Sequence, residues 1–129
     1  MDKRCILLID DDIHLRRMLS DVLRVNGYRT ITACNGAEGL ALLNRIQVTT
    51  WIPDCVLMDI KMPGTDGVKA LSMIKTLSPN LPVVLMSAYA TDEQIEEAKR
   101  QGAYAVLTKP VDLQLVLSFV SLVKKRKAL

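Results

Sequence analysis

Aromatic residues make up only 4% of this 129-residue chain, which holds one histidine, one tryptophan and one phenylalanine. A core cannot be built around rings, so aliphatic side chains must fill it, with six methionines as adaptable packing. Long apolar runs are missing too. The longest, such as Cys5–Ile9 and Val83–Met86, hold four or five residues, against about 20 for a helix that spans a bilayer. No cleavable leader pattern precedes the first of them, and a cytoplasmic protein without membrane contact is expected. Cysteine is sparse and scattered. Cys5, Cys34 and Cys55 form no CxxC pair and have no histidine nearby, which excludes a zinc knuckle or a disulfide framework. All three are expected as buried, reduced thiols.

Nor does one sign of charge dominate. Lys and Arg number 17 against 14 Asp and Glu, a net charge of +3, but four of the cations lie together in Lys124–Lys127. Without them, 13 basic residues face 14 acidic ones, so the positive charge belongs to the tail. Cations at the end of a final helix complement its dipole. No nucleic-acid contact is expected of this domain itself.

What is present is a globular composition. Half of the residues are apolar and 24% are charged, which excludes disorder. The length suits a single domain over residues 1–129, with 124–129 as a basic helix end or the start of a linker.

Strand-like runs at Cys5–Ile9, Tyr28–Ala33, Cys55–Met58, Val83–Met86 and Tyr104–Leu107 alternate with helical spacing. The helices are predicted over Ile13–Val25, Ala37–Ile46, Gly67–Leu77, Asp92–Gln101 and Leu113–Lys125. Such alternation predicts βαβ units and an α/β fold, a doubly wound five-stranded parallel sheet with helices on both faces. Asn26-Gly27 and Gly102 are set to close the first and fourth helices. Thr91 with Gln94 forms a capping box for the fourth, and Asp112 caps the fifth. Met58, Met62 and Met73 are expected as core.

In sheets of this kind ligands bind beyond the carboxyl ends of the strands. Asp10, Asp11 and Asp12 follow the first strand, Asp59 the third, Ser87 the fourth, and Thr108 and Lys109 the fifth. Carboxylates crowded together are costly, since two unit charges ~4 Å apart repel by about 4 kcal/mol at an effective dielectric of 20. A hard divalent cation such as Mg²⁺ relieves this. A nearby ammonium and hydroxyl suit phosphoryl oxygens, and a carboxylate in line can serve as the nucleophile.

These residues stand in blocks that resemble the receiver domain of two-component response regulators. The blocks are Ile6–Asp12, Val56–Gly67, Met86-Ser87-Ala88 and Leu107–Pro110, in order along the chain. The resemblance implies a flavodoxin-like sheet of order 2-1-3-4-5 and phosphorelay signalling. Asp59 would be the phosphoacceptor, loaded by a histidine kinase or phosphotransfer protein. Asp10, Asp11, Asp59 and the Lys61 backbone carbonyl would hold Mg²⁺, with Asp10 acting mostly through water. Ser87 and Lys109 would each meet a phosphoryl oxygen. The Lys109-Pro110 peptide would be cis. Asp12 reads as a helix cap, His14 as a surface residue, and Lys61 and Tyr89 as flanks of the phosphoryl group.

The chain departs from the family pattern at Val106, where an aromatic usually precedes the strand-five lysine by three residues. Tyr104, two residues earlier, is expected on the same strand face. Transmission is therefore expected to rest on Ser87, the loop after it and the fourth helix, whose only apolar residues are Ile95 and Ala98. In the fifth helix Gln114, Ser118 and Ser121 form one narrow polar stripe, leaving more aliphatic surface than a sheet can cover. The face of the fourth helix, fifth strand and fifth helix is thus expected to dimerise or dock an effector. Output through an effector domain, such as a transcriptional one, stands beside a free-standing regulator acting by protein binding. No separate substrate turnover is expected. An aspartyl phosphatase would want an acid where Lys61 stands, and a flavin site would be repelled by Asp10–Asp12.

Overall fold

The strands carry near-continuous apolar runs because both faces of the sheet are covered. The computed structural model describes residues 4–46, 53–60, 67–88 and 91–123. The strands are β1 (Cys5–Ile9), β2 (Arg29–Ala33), β3 (Cys55–Ile60), β4 (Val83–Ser87) and β5 (Ala105–Thr108), all pairing in parallel in the order β2-β1-β3-β4-β5. Between and after them lie α1 (Ile13–Val25), α2 (Gly36–Ile46), α3 (Gly67–Leu77), α4 (Asp92–Arg100) and α5 (Leu113–Leu122). The expected doubly wound, flavodoxin-like architecture is what forms.

Strand alternation splits the core into two layers. Leu7, Ile9, Met58 and Leu85 pack with Leu43, Leu71, Ile74 and Ala98 from α2, α3 and α4. Ile6, Leu8, Leu57 and Met86 pack on the other face with Leu19, Leu23, Val116 and Val120 from α1 and α5. The expected caps are in place. Asp12 accepts from the His14 and Leu15 N–H groups, Thr91 and Gln94 form a full capping box, and Asp112 caps α5. Gly27 and Gly102 take φ of +91° and +101°, a conformation glycine adopts without cost.

Several expectations are corrected. β3 runs two residues past Met58, because its ladder with β4 continues through Asp59↔Met86 and Ile60↔Ser87. Cys34 is exposed, since it stands one residue beyond β2 where nothing in the described residues covers it; Cys5 and Cys55 are buried, and none of the three forms a disulfide. Met58 is core, but Met73 is half exposed on α3. Tyr104 precedes β5, so pleat parity does not reach it. Its ring packs edge-on against Phe119 of α5, with centroids 5.9 Å apart, whereas Val106 packs against the α2–α4 layer. α5 ends at Leu122, and Lys124–Lys127 lie outside the described residues, as do Lys61, Met62 and Tyr89. No helix among the described residues is long and apolar enough to cross a membrane.

Candidate functional site

The parallel sheet brings the carboxyl ends of β1, β3, β4 and β5 to one edge, and the polar residues singled out in the sequence meet there. Asp59 sits on central β3, one residue before its end. Its Oδ1 lies 2.9 Å from the Lys109 ammonium, which follows β5. The Lys109 N–H donates to the Ser87 carbonyl at 2.8 Å, fixing the lysine beside the buried last residue of β4. The Lys109-Pro110 peptide is cis, as expected. Asp11 is exposed at the rim, and His14 is a surface residue of α1.

Asp10 is the electrostatic centre of the cluster. It is 1% exposed, and its Oδ1 accepts the Asp12 N–H at 2.8 Å. Its Oδ2 has no hydrogen-bond partner and stands 3.9 Å from the Lys109 ammonium, within ion-pair range but beyond hydrogen-bond reach. Burial pushes the Asp10 carboxyl above the usual carboxylate range, and the neighbouring Asp59 and Asp12 charges add to this. The Asp12 N–H and the Lys109 charge oppose the shift without cancelling it. Asp12 itself is held below the usual range by the Leu15 and His14 N–H groups that it caps.

Asp10, Asp11 and Asp59 each offer a carboxylate oxygen, and the three atoms lie within 4.8 Å of one another. An orphaned buried oxygen inside an all-carboxylate donor set is what a hard divalent cation satisfies. Mg²⁺ fits these residues.

The chain matches the model of the response regulator receiver domain over residues 6–121. It belongs to that family. It is 44% identical over 108 residues to the regulatory protein AtoC of Escherichia coli, covering 84% of this chain but 22% of AtoC. The sporulation initiation phosphotransferase F of Bacillus subtilis is 38% identical over 108 residues, covering 84% of this chain and 83% of that protein. Among solved structures, the CheX–CheY–BeF₃–Mg²⁺ complex of Borrelia burgdorferi superposes with a TM-score of 0.81 at 28% identity, covering 91% of this chain and 86% of that one. The chain is thus a receiver domain of two-component response regulators, a signalling domain. Receivers of this family use Mg²⁺ at such an acidic pocket and interact with histidine kinases or phosphotransfer proteins.

Two features of the site were not anticipated from sequence. Arg16 on α1 donates from Nη1 to the Asp10 carbonyl at 2.7 Å. A cavity of about 540 Å³ opens from the acids between α2 and α3, and Cys34, Met58 and Met73 help to line it. Spacing alone does not separate Arg16 from Arg17, and nothing in composition signals a cavity. The expected Lys61 carbonyl and Tyr89 side chain fall outside the described residues.

Proposed function

We propose that this receiver accepts a phosphoryl group on Asp59 from a phosphohistidine of a histidine kinase or phosphotransfer protein, with Mg²⁺ held by Asp10, Asp11 and Asp59. The observation that carries the reading is the pairing of two unlike features. Lys109 touches the Asp59 carboxylate at 2.9 Å, while a fully buried Asp10 oxygen beside it has no hydrogen-bond partner. An ammonium and a divalent-cation site flanking one nucleophilic carboxylate suit an incoming phosphoryl dianion. The occurrence of BeF₃ and Mg²⁺ with CheY in the Borrelia complex supports it.

In the transfer, an Asp59 oxygen attacks phosphorus and the P–O bond forms as the P–N bond breaks. The electron pair of that bond returns to the leaving imidazole, which takes a proton from solvent. Lys109 moves from the bare carboxylate to a phosphoryl oxygen, and the Ser87 hydroxyl donates to another. When bound, Mg²⁺ neutralises charge on the phosphoryl group. The Lys61 carbonyl as a further ligand rests on the family resemblance alone. Attack by water later returns carboxylate and phosphate. The exchange is stoichiometric, so no separate substrate turns over, and we read residues 1–129 as one receiver unit working in the cytoplasm.

The phosphoryl group adds about −1.5 to −2 charge and biases a switch surface of α4, β5 and α5. Ala98 is the only residue of α4 that is fully buried, so little apolar contact holds that helix. Leu115 and Leu122 are exposed on α5, the latter 69%, and Tyr104, packed on Phe119 of the same helix, is half-exposed. These residues favour homodimerisation or effector docking there. Output by direct protein binding is the second reading, favoured by the match to 83% of phosphotransferase F.

Acetyl phosphate with Mg²⁺ should add about 80 Da to the intact mass. The gain should vanish in Asp59→Asn and on chelation. A folded D59N protein that still gains the mass overturns the assignment.

A further inference from the structure

All but one of the polar atoms of Asp10 are tied down. Its N–H donates to the Ala33 carbonyl at 3.1 Å, its carbonyl accepts from Arg16 Nη1 at 2.7 Å, and its Oδ1 accepts the Asp12 N–H at 2.8 Å. Only Oδ2 is left over, on the side of the carboxylate that looks toward Lys109 and Asp59.

Arg16 closes this arrangement into a ring. Its side chain holds the Asp10 carbonyl, and its own N–H donates to the Asp12 carbonyl at 2.9 Å. Asp12 in turn holds Asp10 Oδ1 through its N–H and caps α1 through its carboxylate. The turn that carries Asp10 and Asp11 is thereby cross-braced to the first turns of a helix packed on the sheet. A charge-assisted hydrogen bond from a planar guanidinium is among the stronger and more directional braces available. The neighbouring Arg17 is exposed, whereas Arg16 is half-buried.

We infer that Arg16 is a positioning residue for the divalent cation. It contacts neither the cation nor the phosphoryl group, but fixes the main chain from which the Asp10 and Asp11 carboxylates project. The inference rests on the reading that these acids bind Mg²⁺. It makes a prediction whose sign separates geometry from charge. A cation near the acids competes electrostatically with Mg²⁺, so removing Arg16 for its charge alone would tighten Mg²⁺ binding. Removing a brace loosens it, as loss of groups that orient metal ligands does.

Isothermal titration of Mg²⁺ into the unphosphorylated full chain tests this with R16M, R16K and R17M. R16M should bind about tenfold more weakly than wild type. R17M, which loses the same charge from an exposed site, should stay within about twofold. R16K, with its charge kept and one donor on a flexible stem, should recover part of the loss. Melting in EDTA checks folding, and R16A carries the same criterion if R16M does not fold. R16M binding as tightly as wild type, R17M losing as much as R16M, or R16K recovering nothing would each overturn the inference. Wild type that binds no Mg²⁺ would instead sink the functional reading beneath it.

Discussion

At the amino ends of the strands Asp54 is 1% exposed, and at the carboxyl ends Asp10 is buried to the same degree. The Asp54 carboxylate accepts the Cys5 N–H at 2.6 Å, and the Asp54 N–H donates to the Cys5 carbonyl at 2.7 Å. This two-way clasp ties the start of β1 to the approach into β3. The Asp10 carboxylate has one oxygen bonded and one without a hydrogen-bond partner. A buried polar group kept for structure is satisfied within the chain, because leaving it unmade costs about 1–3 kcal/mol. The one left short at Asp10 is where the proposed cation would sit. The contrast separates a sheet end whose buried acid is satisfied within the chain from the end that carries the candidate site.

The largest expected effect lies in the thiols at the two ends. Burial, with the Asp54 charge adding to it, pushes the Cys55 thiol up to about 12 from 9.0. Its thiolate should be about a thousandfold scarcer at pH 7.5 than that of an ordinary thiol. Iodoacetamide followed by peptide mass mapping should therefore mark exposed Cys34 first and Cys55 only on unfolding. Equal labelling of the two in the folded protein would break the contrast.

Next in size is Asp54→Ala, which strands the buried Cys5 N–H. It should lower stability by about 2–3 kcal/mol in urea denaturation and leave Mg²⁺ affinity unchanged. A change in Mg²⁺ affinity would mean that the two ends are coupled.

The smallest effect has the opposite sign. Without divalent cations, Asp10→Asn should stabilise the protein by about 1 kcal/mol at pH 7, since the amide can keep the Asp12 bond and burial no longer opposes a charge. The Asp10 carboxyl is raised from 3.8 in the folded state. Its contribution to stability therefore falls as pH rises from the unfolded value through the higher folded value, and is level above it. The D10N advantage should be absent below about pH 3.8, grow through that window and then plateau. Mg²⁺ should raise the melting temperature of wild type and not of D10N. A D10N protein less stable than wild type in EDTA across the whole range would remove the idea of a reserved oxygen.

Much of this was legible in one dimension. α1 and α3 have the bounds that their periodicity and end residues indicate, because caps such as Asp12 act within a few residues of where they stand. The meeting of Asp10, Asp11, Asp59, Ser87 and Lys109 at one edge was legible because a parallel sheet must bring its strand ends together. The end of β3 was not, since a polar Asp59 reads as a strand end while its ladder with β4 carries on past it. Cys34 and Met73 have core chemistry but stand where no neighbour in the described residues buries them, and burial is a property of neighbours. Tyr104 stands just before β5, with its N–H on the Val83 carbonyl, and its ring meets Phe119, a contact between distant segments that no local pattern sets.

The order of apolar runs, caps and strand-end acids determined the architecture and the chemistry that its edge can support, since hydrophobic periodicity and capping are local and connection rules leave few topologies. Three things waited for the folded chain. They are the oxygen of Asp10 left unbonded, the choice of Arg16 over Arg17 as its brace, and the satisfaction of Asp54 at the far end. Each depends on a hydrogen bond a few tenths of an ångström within or beyond reach, a distance that only packing in three dimensions sets.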